Sequence, residues 1–418
     1  MMRVWKRQFA ALVLAIAGNG VAMGAMAADF DGMVDADSGK LHVVQMGSGP
    51  ITVIFEAGFA SDLTVWRRVA PDIAKRAQVL AYSRAGTGKS PARAQPQSIA
   101  QSTADLAALL ARVNARPPYI LVGHSYGGFL IRHFAAAYPA QVAGLVFVDP
   151  ADEGLEAELK RIDAAAVLQD QRALMASMPP KWQGDLLAIQ KILDQGKLPP
   201  MAALPDVPAV LLTSVRSRAG SDFFQETPVA VKLKRERHQA FFSQFGNGAH
   251  VVTSQSGHTI QMQEPELVIA AIDQVLSGAS QAAKRQALQA ARQALMVSLE
   301  KAAAQLKENQ SLAAETQVAA AIGESRLGEA EINTLGFNVL TKGKQAALAE
   351  LILKANAQTY PQSHNAADSY GEALLALQRK AEAARQFQRA LELGRAAGAS
   401  PKTLETYQQN LDKALNPT

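Results

Sequence analysis

A rhythm of apolar runs constrains this chain more than any other feature. LHVVQM (41–46), ITVIFEAG (51–58), QVLAYS (78–83), YILVG (119–123), GLVFVD (144–149), AVLLTS (209–214) and AHVVTS (249–254) are short and rich in β-branched residues, and helical stretches alternate with them. Runs of this kind are strand formers, and helix-length spacers between them mean crossover connections. The expectation is an α/β fold with a mainly parallel sheet and helices on both faces. Near residue 278 the rhythm stops. From 279 onward, segments such as QAAKRQALQAARQALMVSLEKAAAQLK place apolar residues three and four apart among Ala, Gln and Lys, which is a helical pattern. An all-α region is therefore expected to follow the α/β region.

The N-terminus has a different signature. Arg3, Lys6 and Arg7 precede an apolar stretch from Phe9 to Ala17, and small residues then lead to Ala-Met-Ala ending at Ala27. That is the order of a secretory signal peptide over residues 1–27, which predicts an exported, periplasmic or secreted protein. The apolar stretch is short for a bilayer span and no second one follows, so no transmembrane span is expected in the mature chain. Loss of residues 1–27 removes three positive charges and no negative ones, taking the formal net charge from +5 to +2. A balance so close to neutral makes no electrostatic case for nucleic acid as a partner. The chain has no cysteine, so in an oxidising compartment packing and caps alone must hold it.

Residues 83–90, SRAGTGKS, follow a strand candidate and end in Gly-Lys-Ser, as a phosphate-cradling loop does. Two details oppose that assignment. Ser83 stands where such a loop needs glycine, and Pro91 pushes Ser90 away from the helical geometry that must follow. No nucleotide partner is expected.

The chemistry concentrates in YILVGHSYGG (119–128), where an apolar strand ends in Gly123-His124-Ser125-Tyr126-Gly127 and the helical stretch FLIRHFAAAYP follows. This is the G-x-S-x-G pattern in the strand–turn–helix context it requires, with Ser125 lifted above the sheet edge by a strained turn. A serine hydroxyl needs a base, and the base needs a group that orients it. Of seven histidines, His258 is placed for this work, after the last strand candidate and within the small-residue turn SQSGH. His124 is expected to support the turn, His133, His238 and His250 are expected to be structural, and His42 and His364 have no evident company. For the acid there are two choices. Asp149 closes GLVFVD, and Asp222 is the first carboxylate after AVLLTS, where Val215, Arg216 and Ser217 occupy the strand exit. Asp149 is preferred for its strand-end position, with Asp222 as the alternative acid.

Together these residues resemble the α/β-hydrolase family over about residues 38–277. GSGPITVIFEAGFASDLTVW resembles the family's third strand and oxyanion loop, with Ala57-Gly58 where His-Gly is frequent. YPAQVAGLVFVDPAD and SGHTIQMQEPELV also look like the family, and Arg84, Gly86, Gly88 and Ser90 fit its ordinary fourth-strand exit. The resemblance implies an oxyanion hole from the backbone N–H groups of Phe59 and Tyr126, and a helical cap over about 151–207 whose Met and Leu residues wall an apolar pocket. It further implies a serine hydrolase cleaving small carboxylic esters through an acyl-serine, without metal or organic cofactor. Amide or lactone hydrolysis by the same residues, or a catalytically silent fold acting as a protein scaffold, are the alternatives.

In the helical region, 279–418, INTLGFNVLTKGKQAALAELILKA and AADSYGEALLALQRKAEAARQFQRA align at a shift of 35 residues, pairing Gly336 with Gly371 and Ile352 with Phe387. Over about 329–396 this resembles the tetratricopeptide repeat, with Leu348 standing where the first copy should have alanine and Arg395 where the second should have proline. The resemblance implies a concave surface that docks a peptide or protein. A helical bundle that stabilises or dimerises the enzyme is the plainer expectation.

Overall fold

A computed structural model of the chain describes residues 29–36, 39–93 and 95–416. The expected signal peptide, residues 1–27, lies outside the described residues. The chain divides into two compact units, Met1–Gln281 and Ala282–Thr418. Among the described residues no helix is long and apolar enough to cross a membrane.

The first unit is built on an eight-stranded sheet. Its strands are β1 (Phe30–Ala36), β2 (Gly39–Met46), β3 (Thr52–Glu56), β4 (Gln78–Ser83), β5 (Tyr119–His124), β6 (Val142–Val148), β7 (Ala209–Ser214) and β8 (Gly248–Thr253). They lie in the order β1-β2-β4-β3-β5-β6-β7-β8. The β1–β2 and β2–β4 pairs are antiparallel, and every pair from β4 to β8 is parallel. Seven strands match the apolar runs. The eighth, β1, was not signalled, because FDGMVDA is an edge strand that buries little of itself.

The central strands read as continuous apolar runs because both faces are covered. Side chains alternate across the sheet. Val53, Phe55, Val122, Val146 and Val148 point into one core with Val268, Ile272 and Val275, which belong to the helix α6 defined below. Ile54, Leu121, Leu145 and Phe147 point into the other, with Leu109 of α1 (Ile99–Arg112) and Phe134 of α2 (Gly127–Ala137). Each such side chain contributes about 1.5–3 kcal/mol by leaving water. α1 starts where it does because Ser98 and Gln101 form a reciprocal capping box.

Between β6 and β7 lie α3 (Leu155–Ser177) and α4 (Pro180–Gln195). α3 breaks at Asp163, whose φ of −150° and ψ of 90° leave the helical region. The Asp163 carboxylate then accepts from Ala166 N at 2.9 Å, so the helix restarts on its own N-cap. α4 opens with a proline and closes at Gly196 in the left-handed conformation. After β7 comes α5 (Pro228–Phe242), and after β8 comes α6 (Pro265–Lys307), within which the division between the units falls.

The second unit is wholly helical among its described residues. It continues with α7 (Ser311–Glu324), α8 (Glu329–Thr341), α9 (Ala346–Thr359), α10 (His364–Ala376), α11 (Lys380–Ala396) and α12 (Pro401–Leu415). Two close approaches join its pairs. A Cβ on Gly336 would sit 2.5 Å from Leu353, and one on Gly371 would sit 2.5 Å from Phe387. This corrects the single shift of 35 residues. α8 and α10 start 35 apart, but α9 and α11 start 34 apart, because the α8–α9 connection is one residue longer. Ala349 and Leu353 therefore correspond to Ala383 and Phe387, and the apparent departure at Leu348 disappears; Ala349 and Ala383 are both fully buried.

Candidate active site

Ser125 leaves β5 with φ of +53°, a left-handed conformation that is costly for a residue with a side chain. The surrounding backbone over-determines it. Ser125 N donates to Val148 O at 3.2 Å, and Ser125 O accepts from Gly128 N at 2.8 Å and Ala151 N at 3.0 Å. The turn is tight enough to demand glycine at two places. A Cβ on Gly123 would lie 2.7 Å from Gly127 O, and one on Gly127 would lie 2.5 Å from Glu56 O.

Asp149 follows β6 directly, also with positive φ, +38°, and its residue is 1% exposed. Its Oδ2 accepts from His258 Nδ1 at 2.7 Å and from Lys234 Nζ at 3.0 Å. Its Oδ1 accepts from Ser214 N at 3.0 Å. Burial alone would raise the carboxyl pKa, but the Lys234 charge and the His258 hydrogen bond outweigh it and hold the group well below the usual carboxylate range. Asp222 is exposed in the loop after β7, and the carboxylate that reaches His258 is that of Asp149.

His258 sits in the loop after β8, its side chain 43% exposed. Donation from Nδ1 to Asp149 fixes the neutral ring in the tautomer whose Nε2 carries the lone pair. The loop is tied down at two carbonyls. Ser214 Oγ donates to Ser256 O at 2.7 Å, and His124 Nε2 donates to His258 O at 2.9 Å. Burial drives the pKa of His124 down to about 3, so it stays neutral and serves as a fixed donor behind the loop. Ser125, Asp149 and His258 line one cavity of about 480 Å³, whose walls include Leu155, Leu159 and Leu193 of the inserted helices. The inserted methionines behave differently from expectation. Met175 and Met178 pack on Trp182 and Phe59 instead of lining the cavity.

Among the described residues, neither the Phe59 nor the Tyr126 N–H donates to a protein acceptor. Phe59 is steered by a buried network that the sequence reading missed. Arg84 pairs with Glu56 and donates to Ala57 O at 2.7 Å and Gly58 O at 2.6 Å, while Tyr82 also donates to Glu56. Burial opposes the Arg84 charge, and the neighbouring Glu56 carboxylate outweighs that and raises its pKa. A signal was present, since a lone glutamate in the apolar run ITVIFEAG must find a buried cation. The SRAGTGKS loop thus sends Arg84 inward, while Gly88 and Lys89 stay exposed. Gly86 N, Thr87 N and Ser90 N are each bonded within the loop, to Pro91 O, Arg84 O and Thr87 O, and Ser90 Oγ donates to Ser83 O at 2.7 Å.

Lys234 and Ser214, which hold Asp149, were also missed, because their roles depend on contacts between distant strand ends. His238 is structural as expected: it shares Thr213 Oγ1 with His250 and lies 3.0 Å from Pro150 O. His42 and His364 do have company, in Asp31 and Tyr407 respectively, each at 2.7 Å.

A protein-family model described as the alpha/beta hydrolase fold matches residues 51–219. The chain is 41% identical to Lipase LipV of Mycobacterium tuberculosis over 115 residues, covering 27% of this chain and 42% of that protein. It is 33% identical to the uncharacterized protein YqjL of Bacillus subtilis over 105 residues, covering 25% of this chain and 42% of that one. The matched stretch therefore spans about two-fifths of these relatives. A solved structure, carboxylesterase CesB from Bacillus subtilis, superposes with a TM-score of 0.41 at 16% identity, over 60% of this chain and 92% of that one. The strand order, the connection through Ser125 and the family match converge: the first unit of this chain has the α/β-hydrolase fold.

Proposed function

We propose that the protein is an exported serine hydrolase that cleaves carboxylic esters through an acyl-serine at Ser125. One observation carries this reading: the His258–Asp149 pair opens onto the same cavity as Ser125, which is held at φ +53°. In the proposed reaction His258 Nε2 takes the Ser125 proton as the oxygen attacks the ester carbonyl. The carbonyl oxygen, now negative, is met by the N–H groups of Phe59 and Tyr126. His258 then protonates the departing alcohol, and the C–O bond breaks. Water, deprotonated by His258, attacks the acyl-serine and releases the acid. Asp149 keeps the imidazolium favourable at both steps. The lipase named among the relatives agrees with ester chemistry.

Export rests on the order of charges and apolar residues in 1–27. The α8–α11 segment is proposed as a pair of tetratricopeptide-like repeats, supported by the Gly336–Leu353 and Gly371–Phe387 approaches at matching positions. The test of the activity is hydrolysis of a p-nitrophenyl butyrate series. Ser125→Ala and His258→Ala should each lower kcat by about 10⁶-fold with the fold intact. Retention of more than a tenth of the activity in Ser125→Ala would remove Ser125 as nucleophile.

A further inference from the structure

The charges around the cavity do not cancel locally at one place. Four carboxylates line it, and each has a cation beside it: Asp149 with Lys234 at 3.0 Å, Asp152 with Arg237 at 2.5 Å, Glu156 with Lys160 at 3.1 Å and Glu226 with Arg218 at 3.7 Å. Arg216 lines the same cavity. It is exposed, and among the described residues its guanidinium has no carboxylate or carbonyl partner, although its backbone N is tied to Ser214 Oγ at 3.4 Å. A guanidinium is always charged and presents a planar fork of donors matched to a carboxylate. The anchored backbone puts that fork on the exit of β7, two residues beyond the serine whose N–H holds Asp149.

The rest of the wall is largely apolar, with Leu155, Leu159, Leu193 and Val231 among its residues. A neutral alkyl ester would fill such a wall and leave Arg216 hydrated. A molecule with an apolar chain that ends in a carboxylate would satisfy both. We propose that Arg216 recognises a carboxylate at the far end of the substrate, so that the preferred esters are half-esters of dicarboxylic acids. This rests on the ester-hydrolase reading above and adds the class of acyl group.

The test pairs esters of equal length. p-Nitrophenyl monoesters of glutarate, adipate, suberate and sebacate are compared with neutral p-nitrophenyl esters of matching chain, at low and physiological ionic strength, in the native protein and in Arg216→Gln, Arg216→Glu and Arg216→Lys. The expectation is a preference of about tenfold in kcat/KM for the charged ester at one or more lengths, carried by KM and weakened by salt. Arg216→Gln should abolish it and Arg216→Glu should invert it. Arg216→Lys should keep part, and in every variant the charged esters should lose more than the neutral ones. Neutral turnover with no preference for the charged ester at any length would overturn this inference and leave the hydrolase reading standing. Calorimetry with free suberate decides the matter independently of turnover. Binding that disappears in Arg216→Glu supports the inference even if no ester is cleaved, and equal or absent binding in the two proteins overturns it.

Discussion

The two units use the same unusual backbone conformation for opposite ends. In the helical unit, Asn309, Arg326, Lys344 and Gln378 have φ between +50° and +63°, and all four stand within three residues after a helix. There the left-handed residue turns the chain and closes the last helical turn. In the first unit Asn114 does the same after α1, but Ser125 and Asp149 take positive φ directly after parallel strands, at the edge of the cavity. In the helical unit the conformation ends helices, and in the first unit it also presents a hydroxyl and a carboxylate. Backbone strain therefore points to chemistry only where the strained residue also faces a cavity and is held by long-range bonds.

The largest effect that would break this comparison is at the carboxylates. Asp149→Asn should lower kcat by about 10⁴-fold by disturbing the His258 tautomer, whereas Asp222→Asn should stay within about twofold, as measured by ester turnover. Equal losses would mean that the two strand ends share the work.

The close approaches of glycine separate the units next. Gly127→Ala drives a Cβ to 2.5 Å from Glu56 O, a backbone atom, whereas Gly371→Ala meets Phe387, a side chain, at 2.5 Å. Each substitution should cost about 1–3 kcal/mol in urea unfolding. Adding Phe387→Leu should recover much of the second loss, and no side-chain change should recover the first.

Acidification should also divide them. Burial lowers His124 to about 3 and His238 to about 4, both below the ordinary 6.5. Between those values and 6.5 the unfolded chain binds protons that the folded unit refuses, so stability falls as pH drops from 7 to 5. Glu372 in the helical unit is pushed by burial to about 7, above its ordinary 4.5. Its contribution is fully present below 4.5 and is lost as pH rises through 7, so the helical unit gains on the same descent. Both tryptophans among the described residues, Trp66 and Trp182, belong to the first unit. The urea midpoint by tryptophan fluorescence should fall from pH 7 to 5, while the helical ellipticity that outlasts it should not. Coincident shifts in the same direction would contradict the division.

The smallest expected effect uses glycine directly. Lys344→Gly and Ser125→Gly both relieve a positive φ and should each stabilise by up to about 1 kcal/mol. Only Ser125→Gly should lose ester turnover.

Much of this was legible in the sequence because it is local. The central strands announced themselves by β-branched runs buried on both faces, and Ser125 and His258 by the turns that follow β5 and β8. β1 was invisible because an edge strand with Asp31, Gly32 and Asp35 buries too little to leave an apolar pattern. The choice between Asp149 and Asp222 stayed open for another reason. It depends on which strand end reaches His258, a contact across 109 residues of chain. Lys234 and Ser214 were missed on the same ground; in the Glu56–Arg84–Tyr82 network the lone glutamate was legible in ITVIFEAG and its partners were not. In the helical unit the helices were legible but the register between their pairs was not, since one extra loop residue shifts the second helix of the pair without changing the composition.

The central claim is that Ser125 is the nucleophile and His258 its base. A fluorophosphonate probe reacts only with an activated serine, so native full-length protein should form one adduct, mapped by peptide mass spectrometry to the segment containing Ser125. The adduct should vanish in His258→Ala and on prior denaturation. No adduct on the native protein, or an adduct at another residue that persists in Ser125→Ala, would contradict the account.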